Sequence, residues 1–286
     1  MNRRCVVSLM AGVLVSPALA APLDSAEPTA PTTRQMALIT WTEFREWVPE
    51  RIQTVLVPIG SIEAHGVIPN GSDAIAPTAM AEAIAPRLDA MVAPTLSYGV
   101  TPGLQAYPGA VSITPAAFEA FLSEILTELA RNGFQNIVVL NGHGGNTETA
   151  QKVARVVSPQ TRTRILVANW WSLVEEQTLE VFGEPGGHAG SNETAYMQVI
   201  VPEHIHPERY RPEMAMPNRP SSAFYAVPSP ASIGLYNAGE GYPTFDAEQA
   251  RVYFEKVNDE VARVVEDTIA RWDRAGLYEG SAPESR

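Results

Sequence analysis

The chain has 286 residues, 45% of them hydrophobic, which is enough for one large core and by length allows one domain or two. It carries 20 Lys+Arg against 32 Asp+Glu, a formal net charge of −12, with no clustered basic stripe. Such a surface repels phosphate backbones and excludes nucleic acid as the expected partner.

Residues 1–20 read as an export signal. Arg3 and Arg4 supply the basic start, Cys5 to Val15 is mostly apolar, and Ala18-Leu19-Ala20 is a small-residue cleavage site. The apolar run is too short to span a bilayer comfortably, so no membrane span is expected, and the mature product is placed in the periplasm or outside the cell. Cleavage also removes Cys5, the only cysteine. Any metal site in the mature chain must then use His, Asp and Glu, which points to zinc, manganese or iron(II). Residues 21–35 are rich in Pro, Ala and Thr and read as a disordered linker.

From residue 36 to about 280, short apolar runs alternate with amphipathic stretches. Thr54–Ile59 reads as a buried strand, 77–88 as a helix opened by Pro77, and 91–94 as a second strand. A longer helix is predicted over 115–132, with Phe118, Leu122, Ile125 and Leu129 at helical spacing and Gly133 as its stop. A strand over 136–140, a helix over 147–157 and a strand over 164–168 follow. Ser191–Ile200 reads as helical, 203–245 as Pro-rich and irregular, and 246–272 as a closing helix capped by Asp246. Apolar strands alternating with helices predict a single three-layer α/β/α domain with a mostly parallel central sheet.

Chemistry-bearing residues gather where strands end, which is where such sheets bind ligands. Gly60-Ser61-Ile62-Glu63-Ala64-His65-Gly66 follows the first strand, and Asp73 follows a short turn after it. Glu63 and His65 are two apart, so an extended segment points both to one side. Asn141-Gly142-His143-Gly144-Gly145-Asn146 follows the third strand. It lacks the Lys-Ser/Thr of a phosphate loop, which favours His143 as a ligand over the glycines as a phosphate cradle. Gly187-His188-Ala189-Gly190-Ser191-Asn192-Glu193 leads into a helix, where Glu193 either projects toward metal or complements the helix dipole. Of the 5 histidines, His204 and His206 lie in a Pro-flanked stretch without such a setting.

At these residues the chain resembles the creatininase family. The matching stretches are Pro58-x-Gly60-Ser61-x-Glu63-x-His65-Gly66 with Asp73, Tyr98-Gly99 with Tyr107-Pro108-Gly109, Asn141-Gly-His-Gly-Gly-Asn146, and His188-Ala-Gly-x-x-Glu-Thr194. The resemblance implies a three-layer fold, a homo-oligomer that is often a hexamer, and a two-metal centre that hydrolyses C–N bonds in small cyclic or formyl amides. By position it implies that Glu63 and His143 bind one ion, His65 the other, and that Asp73 bridges them. It places Glu193 as a carboxylate at the site and His188 as a residue assisting proton transfer. Two departures stand out. The stretch from His65 to Asp73 is one residue shorter than the family's His-Gly-Pro-His-Leu-Pro pattern and lacks its second histidine. Gly145 also stands where creatininase itself carries a glutamate ligand, which implies either a more weakly held second ion or its completion by Glu193.

The expected chemistry is hydrolysis of a small cyclic amide, formamide or short peptide by a hydroxide bridging two divalent ions, with a small molecule as the substrate. His188 or Glu193 is expected to pass the proton to the leaving nitrogen, His188 without binding metal, and Trp170, Trp171 and Tyr107 are candidate pocket walls. The alternatives are a lactone or ester hydrolase on the same site, and an exported solute-binding protein without turnover. Mass spectrometry of the protein from its native host should give an N-terminus at or near Ala21; an intact Met1 in a cytoplasmic fraction would count against export.

Overall fold

Strands β1 (Thr54–Ile59), β2 (Ala90–Val92), β3 (Asn136–Asn141) and β4 (Arg164–Asn169) form a parallel sheet in the order β2-β1-β3-β4. Every position of β1 and β3 is buried, which is what a parallel sheet covered on both faces requires. The computed structural model describes residues 30–216, 221–235 and 245–278. The expected signal and the linker up to residue 29 lie outside the described residues.

Eight α-helices cover the sheet among the described residues: α1 (Trp41–Trp47), α2 (Ser72–Ile84), α3 (Pro115–Arg131), α4 (Thr147–Thr161), α5 (Trp170–Leu173), α6 (Glu175–Phe182), α7 (Ser191–Ile200) and α8 (Ala247–Arg274). Side chains alternate between the two faces as strand geometry dictates. Leu56, Val138 and Leu140 face Met80, Tyr196 and Tyr253 of α2, α7 and α8. Val55, Val57, Ile137 and Val139 face Phe118, Leu122 and Val153 of α3 and α4. The result is the expected α/β/α sandwich, and no described helix is long and apolar enough to cross a membrane.

Several boundaries differ from those expected. The helix expected at 77–88 runs from Ser72 to Ile84, with Pro77 inside it. Gly71 precedes it without a side-chain cap, so the sequence offers no capping signal, and the proline draws attention to the wrong turn. The second strand covers Ala90–Val92, and α4 continues to Thr161 past the expected residue 157. Residues 170–182 form α5 and α6, which were not anticipated. The last positions of the expected linker are held on the body instead. Arg34 binds Asp89 at 2.8 Å, Gln35 pairs in parallel with Val92, and the Met36 N–H donates to the Val92 carbonyl at 2.9 Å.

Pro77 has a local consequence. It has no N–H for the carbonyl four residues back, that of Asp73, so this oxygen lacks the usual helical partner. The same carbonyl lies against Gly60 and Gly142, the residues that follow β1 and β3, and a Cβ on either glycine would overlap it. The start of α2 is thereby pressed onto two strand ends. Gly142→Ala should destabilise the protein by about 1–3 kcal/mol, the usual range for overpacking against backbone. Urea unfolding reads this directly, and a wild-type midpoint would show that the contact carries no strain.

Candidate metal centre

β1 and β3 are neighbours, but their following connections part: β1 leads to α2 on one face and β3 to α4 on the other. This topological switch point opens a crevice beyond the strand ends, where open α/β sheets bind ligands. Glu63, His65 and Asp73 reach it from the β1–α2 connection, and His143 reaches it from the turn after β3. The loop before α7 adds His188, and the first turn of α7 adds Glu193. All six predicted site residues converge. Their donor atoms fall into three sets of mutual neighbours: Glu63, Asp73 and His143; His65, Asp73 and Glu193; Glu63, His65 and His188.

Asp73 is shared by the first two sets, one oxygen to each. Its Oδ1 lies 2.9 Å from His65 Nε2 and its Oδ2 lies 2.8 Å from His143 Nδ1. Ser61 Oγ donates to Oδ2 at 2.8 Å. Glu63 Oε1 is 3.4 Å from His143 Nδ1, and Glu193 Oε2 is 3.7 Å from His65 Nε2. The Ala189 N–H, presented by a backbone with φ of 50°, donates to Glu193 Oε2 at 2.6 Å.

Each histidine is oriented by a backbone carbonyl. His65 Nδ1 lies 3.0 Å from the Glu63 carbonyl, His143 Nε2 lies 2.9 Å from that of Val100, and His188 Nε2 lies 2.7 Å from that of Ala64. A carbonyl only accepts, so these nitrogens carry the protons. The opposite nitrogens, His65 Nε2, His143 Nδ1 and His188 Nδ1, then turn toward carboxylate oxygens. Two acceptors face each other stably only with a proton or a cation between them. Carbonyl-anchored imidazoles of this kind are the usual outer support of metal-binding histidines, so the donor set fits divalent metal. Burial opposes charging of His65, yet Asp73, with help from Glu193 and Glu63, raises its pKa to about 10. Burial also opposes ionisation of Asp73, but His65 and His143 hold it well below the usual carboxylate range. His143 is raised against burial by Asp73 and Glu63, whereas burial and the neighbouring His65 keep His188 low. Burial pushes Glu193 up to about 7.

His188 stands inside the donor cluster. Its Nδ1 is 3.3 Å from Glu63 Oε1, and its ring lies 4.3 Å from that of His65. Its free lone pair therefore suits a base or a ligand equally. Gly145 is a different matter. A Cβ there would overlap the Val100 carbonyl oxygen and stand 2.6 Å from His143 Nε2, so this turn has no room for a side-chain ligand. Glu193 is the carboxylate that, besides Asp73, the structure brings to His65.

A cavity of about 240 Å³ opens onto Asp73, His143, His188 and Glu193, walled by Trp171 and Pro185. Trp170 is core and 1% exposed, and the Tyr107 hydroxyl donates to the Ser229 carbonyl, so Trp171 is the one predicted wall that lines the cavity among the described residues. His204 and His206 lie outside, beside Glu203 and Glu208 on the surface. A larger apolar groove of about 720 Å³ between α3 and residues 93–98 contains none of these groups. The sequence reading gave no role to Asn141 and Asn146. Asn141 brackets His143 through both its N–H and its carbonyl, and Asn146 ties Val100 to Gly60. The signal was there: two asparagines flanking a histidine at a strand end, both fully buried.

The creatininase family profile, described as creatinine amidohydrolase, matches residues 37–265. The creatinine amidohydrolase of Pseudomonas putida is 27% identical over 191 residues, covering 60% of this chain and 73% of that protein. The mycofactocin precursor peptide peptidase of Mycolicibacterium smegmatis is 31% identical over 241 residues, 79% of this chain and 89% of its own length. A mutant creatininase of the Zn–Zn type superposes with a TM-score of 0.72 at 22% identity, over 82% of this chain and 98% of the other. A manganese creatininase gives 0.70 at the same identity and coverage.

After loading with zinc or manganese, Asp73→Ala should hold less metal than the wild type, since one carboxylate serves two donor sets. Elemental analysis after dialysis tests this. Wild-type metal content in the variant would rule out the bridging role.

Proposed function

Because the chain belongs to the creatininase family of metal-dependent amidohydrolases, which act on C–N bonds, we propose that it hydrolyses a small cyclic amide, a formamide or a short peptide at the Asp73 centre. The observation that carries this reading is the sharing of Asp73 between His65 and His143. Two divalent ions held by Glu63, Asp73 and His143, and by His65, Asp73 and Glu193, would supply a Lewis acid for the carbonyl and a water acidified toward neutrality. Zinc and manganese are favoured by the two kinds of related creatininase structure, and the oxygen and imidazole donors also suit iron(II).

The chain's own groups account for the rest. Trp171 and Pro185 exclude water from one side of the cavity and limit the substrate to a small molecule. The Ala64 carbonyl holds the Nε2 proton of His188, so proton traffic passes through Nδ1. As a C–O bond from water forms and the C–N bond breaks, His188 Nδ1 takes the water's proton and delivers it to the leaving nitrogen. The basic start, apolar run and Ala18-Leu19-Ala20 site support export, so the reaction is assigned to the periplasm or the exterior.

Metal analysis followed by a screen of creatinine, dihydrouracil, N-formylglycinamide, a dipeptide and a lactone tests the reading. The protein is expected to hold up to two equivalents of metal and to cleave at least one amide. His188→Ala should keep its fold and metal yet lose about 10²–10⁴-fold in turnover, the span of a general acid–base group. Metal-loaded protein inert to every amide would sink the proposal, turnover of the lactone alone would change the bond, and loss of an ion from His188→Ala would make that residue a ligand.

A further inference from the structure

One polar group in the same cavity has no part in this scheme. Asn192, in the first turn of α7, is 3% exposed and lines the 240 Å³ cavity with Trp171, His188 and Glu193. Its Oδ1 accepts a hydrogen bond from the Gly187 N–H at 2.9 Å. That bond sets the orientation of the amide, since an N–H needs the oxygen opposite it. The oxygen faces the loop, and Nδ2 faces away from it. Among the described residues none accepts a hydrogen bond from Nδ2. The loop is also fitted around this side chain. Gly186 adopts a φ of +71°, and a Cβ there would overlap Asn192 Oδ1.

Nδ2 is reached from the cavity rather than sealed in the core, so it is a donor open to a bound group. The cavity that Asn192 lines is also lined by Glu193. We propose that Asn192 determines specificity: its Nδ2 donates to a second hydrogen-bond acceptor of an uncharged amide, a group other than the carbonyl being cleaved. The proposal rests on the amidohydrolase reading and narrows it to amides with a further carbonyl, such as cyclic imides and ureides. A site built to hydrogen-bond a substrate rejects the analogue that leaves its donor unpaired.

The test uses the full mature chain loaded with zinc or manganese. Hydantoin and dihydrouracil, each with two carbonyls, are compared with 2-pyrrolidinone, which has one. Turnover is followed together with binding, read from Trp fluorescence with Trp171→Phe as the control. Wild-type protein should favour the two-carbonyl probes by about tenfold or more in kcat/KM. Asn192→Asp keeps an acceptor for the Gly187 N–H and removes the donor. It should lose that preference, mainly through KM, with metal content and unfolding midpoint unchanged. Asn192→Ala should lose the preference and loosen the loop as well. If Asn192→Asp keeps the wild-type preference while Asn192→Ala alone is impaired, Asn192 only pins the loop and the proposal is overturned. Loss of metal from Asn192→Asp overturns it too, because the residue would then act through Glu193. A wild type that is active on other amides but indifferent among these probes overturns this proposal alone. A wild type that neither binds nor cleaves any amide overturns the amidohydrolase reading and this proposal together.

Discussion

The N-terminal turn of α2 is wedged between the ends of β1 and β3, and the centre depends on that wedge. The Asp73 carbonyl, without its helical partner because of Pro77, seats against Gly60 and Gly142. This fixes the Asp73 backbone at the switch point and sends its carboxylate between the two strand ends. A buried carboxylate costs several kcal/mol unless its lone pairs are matched. Ser61, His65 and His143 match them, and they arrive from both neighbouring strands. Substituting either glycine would move the helix, and the Asp73 carboxylate would move with it.

Around that wedge, backbone atoms do much of the organising. The carbonyls of Glu63, Ala64 and Val100 each hold one imidazole in a single orientation. Val100 is itself held by Asn146, which reaches across to the Gly60 carbonyl. Three loops are thus tied into one support without a charged residue outside the centre. Fixed in this way, the donor atoms would need little further ordering to hold a cation. The same Val100 carbonyl explains why residue 145 is glycine: the loop that anchors His143 occupies the space a side chain would need.

The sheet was legible because burial on both faces leaves long uninterrupted apolar runs, as in Thr54–Ile59 and Asn136–Asn141. Half of the acidic and histidine cluster was legible because Glu63, His65 and His143 lie in Gly-rich stretches directly after those runs. The start of α2 was not, since Gly71 supplies no cap and Pro77 normally marks a first turn. Nor were α5 and α6: each is short, and Trp170 and Trp171, adjacent in sequence, divide between core and cavity wall according to a turn direction that periodicity does not encode. Glu193 and the dipole of α7 offered two readings that only the distance to His65 could separate. The role of Asn192 depends on which way an amide faces, and a sequence carries no record of that.

Residues 34–36 lie along the outer side of β2, taking up both the N–H and the carbonyl of Val92. β2 is the end strand of the sheet. An open strand edge is a template on which another polypeptide can add, and so a route to aggregation. Here the segment that enters the body acts as its own edge guard, held in place by the Arg34–Asp89 pair. Shortening the chain past Arg34 would therefore bare an adhesive rim and leave the cluster around Asp73 untouched, so that the loss would first show as poor solubility.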